Sequence, residues 1–237
     1  MNQLPQTIQQ LLNVQLNQHA YPVDTFNGKP MPYPANEANQ SMLSECQQAL
    51  DEAITQHPCR LMTSVLLYHP NGYQPLNPSL GHYPNARQLT QPTPNKQEPD
   101  MLITSFFERL NIQLEQLLIS DRKKPVSAQP YHAITKRINA HYTVVVFLFN
   151  KSEYSSLGRN TGSDRYVITS LVNAWCSTVG IDSYYFDNSN PWIKISKALV
   201  VNASVPDSQT HINAMHHQLS WLAHRSLGDG PITYWGY

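Results

Sequence analysis

The sequence has little charge, and the charge it has is balanced. Asp, Glu, Lys and Arg make up 14% of the 237 residues, whereas about a quarter is usual in soluble proteins. Sixteen basic residues offset sixteen acidic ones, so the formal net charge at pH 7 is zero. Dedicated duplex-DNA-binding domains usually carry a basic excess, because phosphate neutralisation supplies much of their affinity. The balance argues against such a domain, although it leaves room for a local basic patch.

Cysteine and long apolar runs are also scarce. The three cysteines, Cys46, Cys59 and Cys176, are widely spaced and form no CxxC motif, which argues against a disulfide framework or a clustered metal site. The longest apolar run, residues 144–149, is far too short to cross a membrane. The N-terminal residues lack the charged and apolar regions of a secretory signal. We therefore expect a cytoplasmic protein without membrane association.

Hydrophobic periodicity predicts an α+β protein, in which helices pack on an antiparallel sheet. The clearest helix covers residues 100–120, with one wide apolar stripe. We expect residues 1–40 to form a helix and an extended linker, and residues 41–237 to form the α+β domain, with a proline-rich loop at 71–99. The predicted order of elements is α, α, β, α, ββ, α, ββ, α, and the ββ pair at 131–149 is a hairpin that turns near residues 137–139.

Four short motifs follow one another in the second half of the chain. They read HYTVVVFLFNKSEYSSLG from residue 141, LVNAWCSTVGI from 171, NPWIKI from 190 and LSWLAHRSLGDG from 219. Together with the upstream helices and strand, this order resembles the YagK/YfjJ C-terminal domain family over roughly residues 40–237. The family is similar to HUH-type rolling-circle replication initiators. The resemblance implies an HUH/Rep-like fold, single-stranded or origin DNA as the partner, Mg²⁺ or Mn²⁺ held by paired histidines, and a tyrosine that attacks the DNA.

The chain departs from the family pattern at the positions that would carry this chemistry. His141, Tyr142 and Thr143 occupy the His-Tyr-His positions, so the second histidine is missing. Trp221 occupies the position of the nicking tyrosine, and His224 that of the following lysine. Upstream, SVLLYHP replaces a strand that is expected to end in Arg-x-Asp-Leu. The resemblance therefore predicts the scaffold of a nicking enzyme without its usual reactive groups.

The remaining ligands and nucleophiles leave alternatives open. His141 is a candidate metal ligand, and His132 would complete a site only if the hairpin brought the two together, because the hydroxyl of Thr143 is a poor substitute for imidazole. The indole of Trp221 cannot form a phosphotyrosyl bond. A relocated nucleophile would come from one of the other tyrosines, and the candidates are Tyr184, Tyr185, Tyr234 and Tyr237.

Basic residues at predicted turns are candidate DNA contacts. Lys136 and Arg137 lie at the hairpin turn, and Arg159 and Arg165 flank a glycine-containing loop before a helix. The last helix also carries His217, Trp221 and His224 on one face, which is either a solvated surface or a surface for stacking on bases.

Three functions remain in competition. We expect a catalytically degenerate replication-initiator-like protein of a phage or mobile element, which binds DNA or regulates replication and needs no cofactor. The alternative is a protein-interaction module that keeps the scaffold without DNA binding, which the neutral charge favours. An active nicking enzyme with a relocated tyrosine and bound Mg²⁺ or Mn²⁺ is the third. The first function predicts that Trp221 lies near His141 across the sheet.

Overall fold

The computed structural model describes residues 6–12, 23–69, 99–120, 130–139, 141–158, 166–180 and 192–236. Within these residues the chain has the predicted α+β architecture, an antiparallel sheet with five α-helices packed on it. The helices are α1 Gln6–Leu12, α2 Gln40–Gln56, α3 Pro99–Ser120, α4 Val167–Val179 and α5 Ser208–Ser220. The strands are β1 Asp24–Phe26, β2 Lys29–Met31, β3 Cys59–Tyr68, β4 Tyr131–Arg137, β5 Tyr142–Asn150, β6 Ile193–Ile195, β7 Leu199–Asn202 and β8 Ile232–Gly236.

The main sheet has six strands in the order β6-β3-β5-β4-β8, and β7 pairs with β3 beside β6. All of these pairings are antiparallel, and β1 and β2 form a separate hairpin. Strand β5 lies in the middle, between β3 and β4, and almost all of it is buried, which explains its unbroken apolar sequence. The predicted turn between β4 and β5 is confirmed, with Arg137 directly opposite Thr143.

The two faces of the sheet bury different kinds of side chain. Helices α3 and α4 cover one face with aromatic rings, where Phe106 and Phe107 of α3 contact Phe147 of β5, and Phe106 also contacts Trp175 of α4. Helices α1, α2 and α5 cover the other face. There Arg60 of β3 is completely buried and donates to the carbonyl of Ala53 at the end of α2. Because strand residues alternate between the faces, each residue of β4 and β5 can be assigned to one of them.

Several element boundaries differ from the sequence-based prediction. The stretch predicted as an extended linker contains the β1–β2 hairpin, which turns at Asn27 and Gly28 with positive φ angles of 50° and 74°. This is the Asn-Gly signal of a tight hairpin. The last predicted helix ends at Ser220 and continues as 3₁₀ turns. Helix α4 ends as predicted, at a left-handed Gly180.

The N-terminal residues belong to the same hydrophobic core as the rest of the chain. Ile8 and Leu11 of α1 and Met31 of β2 are almost completely buried together with the core of the sheet. Residues before 41 therefore contribute to the α+β fold in addition to connecting to it. No helix within the described residues is both long and apolar enough to cross a membrane.

Candidate functional site

Thr143, which the resemblance places at the second histidine position, is buried and already hydrogen-bonded. Its hydroxyl Oγ1 lies 2.9 Å from Nε2 of His69, which directly follows strand β3. Only 2% of Thr143 and 1% of His69 is exposed. The backbone N–H of His69 donates to the carbonyl of His141 at 2.7 Å. The ends of β3 and β5 therefore meet at a histidine–threonine pair, and the hydroxyl that would face a metal is bonded to an imidazole.

His69 lies in an apolar environment that keeps it neutral. Its ring meets the edge of the Trp175 ring, with 5.7 Å between the centroids. Burial, reinforced by the positive charge of Arg137, lowers the pKa of His69 to about 4. Within the described part of the chain, its buried Nδ1 atom has no hydrogen-bond partner. At neutral pH His69 is thus an uncharged imidazole, bonded on one side to Thr143.

Among the described residues, the exposed side chains at this end of the sheet include those of His141 and Arg137. Asn139 fixes the turn between them, because its side-chain oxygen accepts from the backbone N–H groups of His141 at 2.7 Å and Tyr142 at 3.2 Å. The side chain of Arg137 is 46% exposed and lies 4.0 Å from the carboxylate of Asp100, which is itself 82% exposed. An ion pair this exposed holds the guanidinium only weakly. Arg137 is therefore free to meet an anion in solvent.

We call His69, Thr143, His141, Arg137 and Asp100 the strand-end cluster. It combines a buried neutral pair with an exposed cation, an exposed imidazole and an exposed carboxylate.

His132 does not belong to this cluster, because the hairpin does not bring it to His141, and it is therefore not a metal ligand beside His141. It pairs with Leu148, five residues from the Arg137–Thr143 pair, which corresponds to about 16 Å along the strand. Its side chain also leaves the opposite face of the sheet, where Nε2 lies 2.8 Å from Oε1 of Gln56 on α2. Burial lowers the pKa of His132 to about 4, so this histidine is a neutral partner of α2.

The residues at the strand end do not fit the divalent metal that an HUH-type relation implies. Thr143 offers a neutral hydroxyl, and both that hydroxyl and Nε2 of His69 are used in the bond between them. Across the described ranges, no group of three or more His, Cys, Asp or Glu side chains is arranged to hold a metal ion. The exposed groups that remain, the imidazole of His141 and the carboxylate of Asp100 that faces Arg137, are too small a ligand set for a metal site.

Trp221 lies on the opposite face of the sheet from Thr143, so the prediction that it neighbours His141 is wrong. The 3₁₀ turn Trp221–Ala223 follows α5. The indole packs against the ring of Tyr33, with 5.3 Å between the centroids. The next carbonyl, that of Leu222, accepts a hydrogen bond from the ammonium of Lys136. Arg137 is opposite Thr143 and shares its face of the sheet. Lys136 precedes Arg137 on β4, so its side chain points to the opposite face. Trp221, which the resemblance places at the tyrosine position, thus lies behind the sheet.

Lys136 is a buried structural residue, which corrects its assignment as a DNA contact. It is 1% exposed, and its ammonium donates to the carbonyls of Leu222 at 2.7 Å and Gly228 at 2.8 Å. Burial lowers the pKa of Lys136 to about 8. A phosphate cannot reach this ammonium without unfolding the turn that covers it. Lys136 instead attaches the 3₁₀ turns after α5 to strand β4.

His224 is likewise engaged within the fold. The backbone N–H of Ser226 donates to its Nδ1 at 3.1 Å, so Nε2 carries the proton and donates to Glu37 at 3.1 Å. Its ring lies edge-on to Tyr33 and stacks at 30° on Trp221. The side chain therefore caps a 3₁₀ turn and closes a small aromatic cluster, instead of facing an open groove.

The other candidates divide into one described residue and several that are not described. Tyr234 lies on β8 and is 44% exposed, on the same face as Lys136. Burial raises the pKa of Tyr234, so the phenol is not activated as a nucleophile. Arg159, Arg165, Tyr184, Tyr185 and Tyr237 lie outside the described residues.

Comparison with known proteins identifies the family. The family model of the YagK/YfjJ C-terminal domain matches residues 22–226. The chain belongs to this family. No curated protein and no solved structure matches the chain. The matched range includes the strand-end cluster and the Trp221 turn, but helix α1 and strand β8 lie outside it.

Of two residues that organise this region, sequence reasoning missed one, His69, and assigned the other, Lys136, to the wrong role. His69 appears in the sequence as the last residue of an apolar strand, directly before Pro70. The available signal was that a polar residue, His69, ends an apolar strand, which indicates a candidate partner for the polar residues around His141. Lys136 gave a misleading signal, since it is next to Arg137 and charged residues at turns are usually solvated. Only the strand register separates the buried lysine from the exposed arginine.

Proposed function

We propose that this member of the YagK/YfjJ family is a replication-initiator-like protein that binds DNA without nicking it. The observation that carries the absence of nicking is the separation of Thr143 from Trp221, which overturns the expectation that Trp221 lies near His141. Thr143 is bonded to His69 on one face of the sheet, whereas Trp221 packs on Tyr33 behind the other. Family membership supports the scaffold, and the context we propose is cytoplasmic DNA of a phage or mobile element.

A nicking reaction needs its groups together. A nucleophilic phenol and a charge-stabilising metal must contact the same phosphate. The rate enhancement that comes from holding reacting groups together is lost when they are displaced by even about 1 Å. In this chain the residue at the expected second ligand position is Thr143, whose hydroxyl is hydrogen-bonded to His69. The residue at the expected nucleophile position is Trp221, whose indole packs on Tyr33 on the other side of the sheet. The protein is therefore expected to need no metal cofactor.

The DNA-contacting surface we assign is the turn between β4 and β5. Arg137 is half exposed there, His141 is exposed, and the side-chain oxygen of Asn139 accepts from the backbone N–H groups of His141 and Tyr142. A guanidinium of this kind pairs with a phosphate oxygen in two-point geometry. With a neutral chain overall, we expect weak binding that prefers single-stranded DNA and depends steeply on salt.

Fluorescence anisotropy with a labelled single-stranded oligonucleotide tests this function. We expect saturable binding at low ionic strength that weakens as salt rises, and weaker binding by Arg137→Gln. Arg109→Gln is the matched control, because Arg109 is an exposed arginine on α3 that donates to Ser177 of α4, away from the strand-end cluster. Binding that is absent at low salt would exclude DNA as the partner.

One observation favours a second function, that of a protein-interaction module. Met101, Ile112 and Ile119 of α3 are 52%, 57% and 66% exposed. Their spacings of 11 and 7 residues place them along one side of the helix. If DNA does not bind at low salt, the triple change to Gln at these positions should abolish capture of a protein partner, whereas the DNA-binding function predicts no such loss.

A further inference from the structure

Helix α1 buries one apolar edge in a groove on the α5 side of the sheet. Ile8 and Leu11 have no exposed surface, and their spacing of three residues puts them on the same side of the helix. The helix packs against the 3₁₀ turn Trp221–Ala223 and against strand β3. The groove thus accepts two aliphatic side chains from a short helix.

Polar side chains of the groove hold both ends of this helix. The side-chain amide of Gln218, on α5, donates to the carbonyl of Leu11 and, at 3.3 Å, to that of Gln10. The last carbonyls of any helix lack partners within it, so Gln218 acts as a cap supplied by the groove. At the other end the hydroxyl of Thr7 lies 2.7 Å from that of Ser226. The groove therefore recognises a docked helix by its backbone as well as by its apolar edge.

Three features make α1 separable from the fold. A helix of seven residues does not persist alone in water, so its order depends on docking. Docking orders all seven residues, which costs conformational entropy. Only two buried aliphatic side chains and a few hydrogen bonds offset this cost, so we expect the docked helix to be only weakly held. The match to the family model begins at residue 22, after this helix. Between α1 and β1 the chain is long enough to span up to about 35 Å when extended.

We propose that α1 is an exchangeable helix, which leaves its groove and docks into the same groove of a second copy of this chain. A second copy fits because it supplies the same Ile8–Leu11 edge and the same terminal carbonyls that Gln218 caps. The exchange is reciprocal, which gives a closed two-fold dimer rather than a chain of subunits. This inference concerns self-association, and it holds whether or not the strand-end cluster binds DNA.

A labelled peptide with the sequence of residues 1–14 tests the groove in the full chain. The change Ile8→Asp in the protein undocks the resident helix, because a carboxylate cannot be buried there. The peptide is expected to bind this variant at least tenfold more tightly than the native chain. Adding Gln218→Ala to the Ile8→Asp variant should weaken peptide binding at least threefold, since the cap is then missing.

The matched control is Gln10→Asp, which places the same charge on the exposed side of α1 and should leave peptide affinity at the native value. A peptide that itself carries Ile8→Asp should not bind any variant. Equal peptide binding by the native and Ile8→Asp chains would overturn the proposal. So would loss of the far-ultraviolet circular dichroism of the fold in Ile8→Asp, since an exchangeable helix must leave an intact domain.

Sedimentation of the native chain tests the second copy directly. Analytical ultracentrifugation over a range of concentrations should show a dimer whose fraction rises with concentration, whereas the Ile8→Asp chain, which has no dockable helix to exchange, should remain a monomer. If the peptide binds the Ile8→Asp chain but the native chain sediments as a monomer at every concentration, exchange between copies is excluded.

Discussion

The two faces of the β4–β5 hairpin differ in which of their polar residues are exposed to solvent and which are buried. On the α3–α4 side, Thr143 is closed off by His69, while Arg137 remains half exposed at the rim. On the α2–α5 side, Lys136 is buried and donates to two carbonyls of the turns after α5. Arg137 is thus accessible to a ligand in solvent, whereas Lys136, the preceding residue, is part of the core. The contrast teaches that the face of the hairpin on which a charged residue lies decides whether it is part of the core or exposed to solvent.

The pH dependence of stability should show the largest effect. Burial holds the pKa of His69, His132 and His216 at about 4, below the value of 6.5 in the unfolded chain. Between these values the unfolded chain binds more protons, so stability is complete above pH 6.5 and is lost as the pH falls toward 4. For His69 alone the loss is about 3 kcal/mol.

Urea denaturation at a series of pH values measures this loss. His69→Gln removes the buried histidine on the α3–α4 side and keeps a donor for Thr143. It should flatten the dependence of the free energy of unfolding on pH between 6.5 and 4. His132→Gln, on the α2 side, should do the same. A slope unchanged in both variants would mean that neither histidine is buried in its neutral form.

Lys136→Met tests the buried side of the comparison. The methionine fills the same volume but leaves the carbonyls of Leu222 and Gly228 without their donor. We expect a loss of about 2–4 kcal/mol in the free energy of unfolding by urea denaturation, because each unsatisfied buried carbonyl is costly. Lys194→Met, at an exposed strand position, is the control. A loss below about 1 kcal/mol would show that Lys136 is solvated.

Thr143→Val tests the closed side and should have a smaller effect. Valine has the shape of threonine but leaves Nε2 of His69 buried without a partner, which is expected to cost about 1–2 kcal/mol. Thr143→Ser keeps the hydroxyl and separates loss of the bond from loss of packing. If Val and Ser destabilise the chain equally in thermal unfolding, the hydrogen bond to His69 contributes nothing.

Arg137→Gln should leave stability nearly unchanged and alter binding alone. Surface changes away from special features usually remain within about 0.5 kcal/mol. Loss of one phosphate contact is expected to lower the slope of log affinity against log salt by about 0.7 for single-stranded DNA, measured by anisotropy titrations. A slope identical to that of the native chain would move the DNA contact away from the strand-end cluster.

The sequence predicted the architecture better than the site. Apolar periodicity was enough for the helices and for strand β5, and the left-handed end of α4 followed from Gly180. The site depended on strand register, which periodicity does not reveal: a shift of one residue exchanges the environments of Lys136 and Arg137. His69 was missed because its partner, Thr143, is 74 residues away in sequence.

The same limitation explains the error at Trp221. Motif order correctly identified the family, but order along the chain does not say on which face of a sheet a following helix lies. The Trp221 turn lies behind the sheet because Lys136 and the aromatic ring of Tyr33 hold it there. Neither contact leaves a local signal in the sequence around residue 221.

The central claim is that DNA binding persists in this chain without nicking. The direct measurement is incubation with labelled single-stranded DNA and Mn²⁺ or Mg²⁺, followed by denaturing electrophoresis and, in parallel, native anisotropy. The account predicts salt-dependent binding under native conditions and no labelled band at the mass of the protein after denaturation. A covalent protein–DNA band that maps to a tyrosine would contradict it.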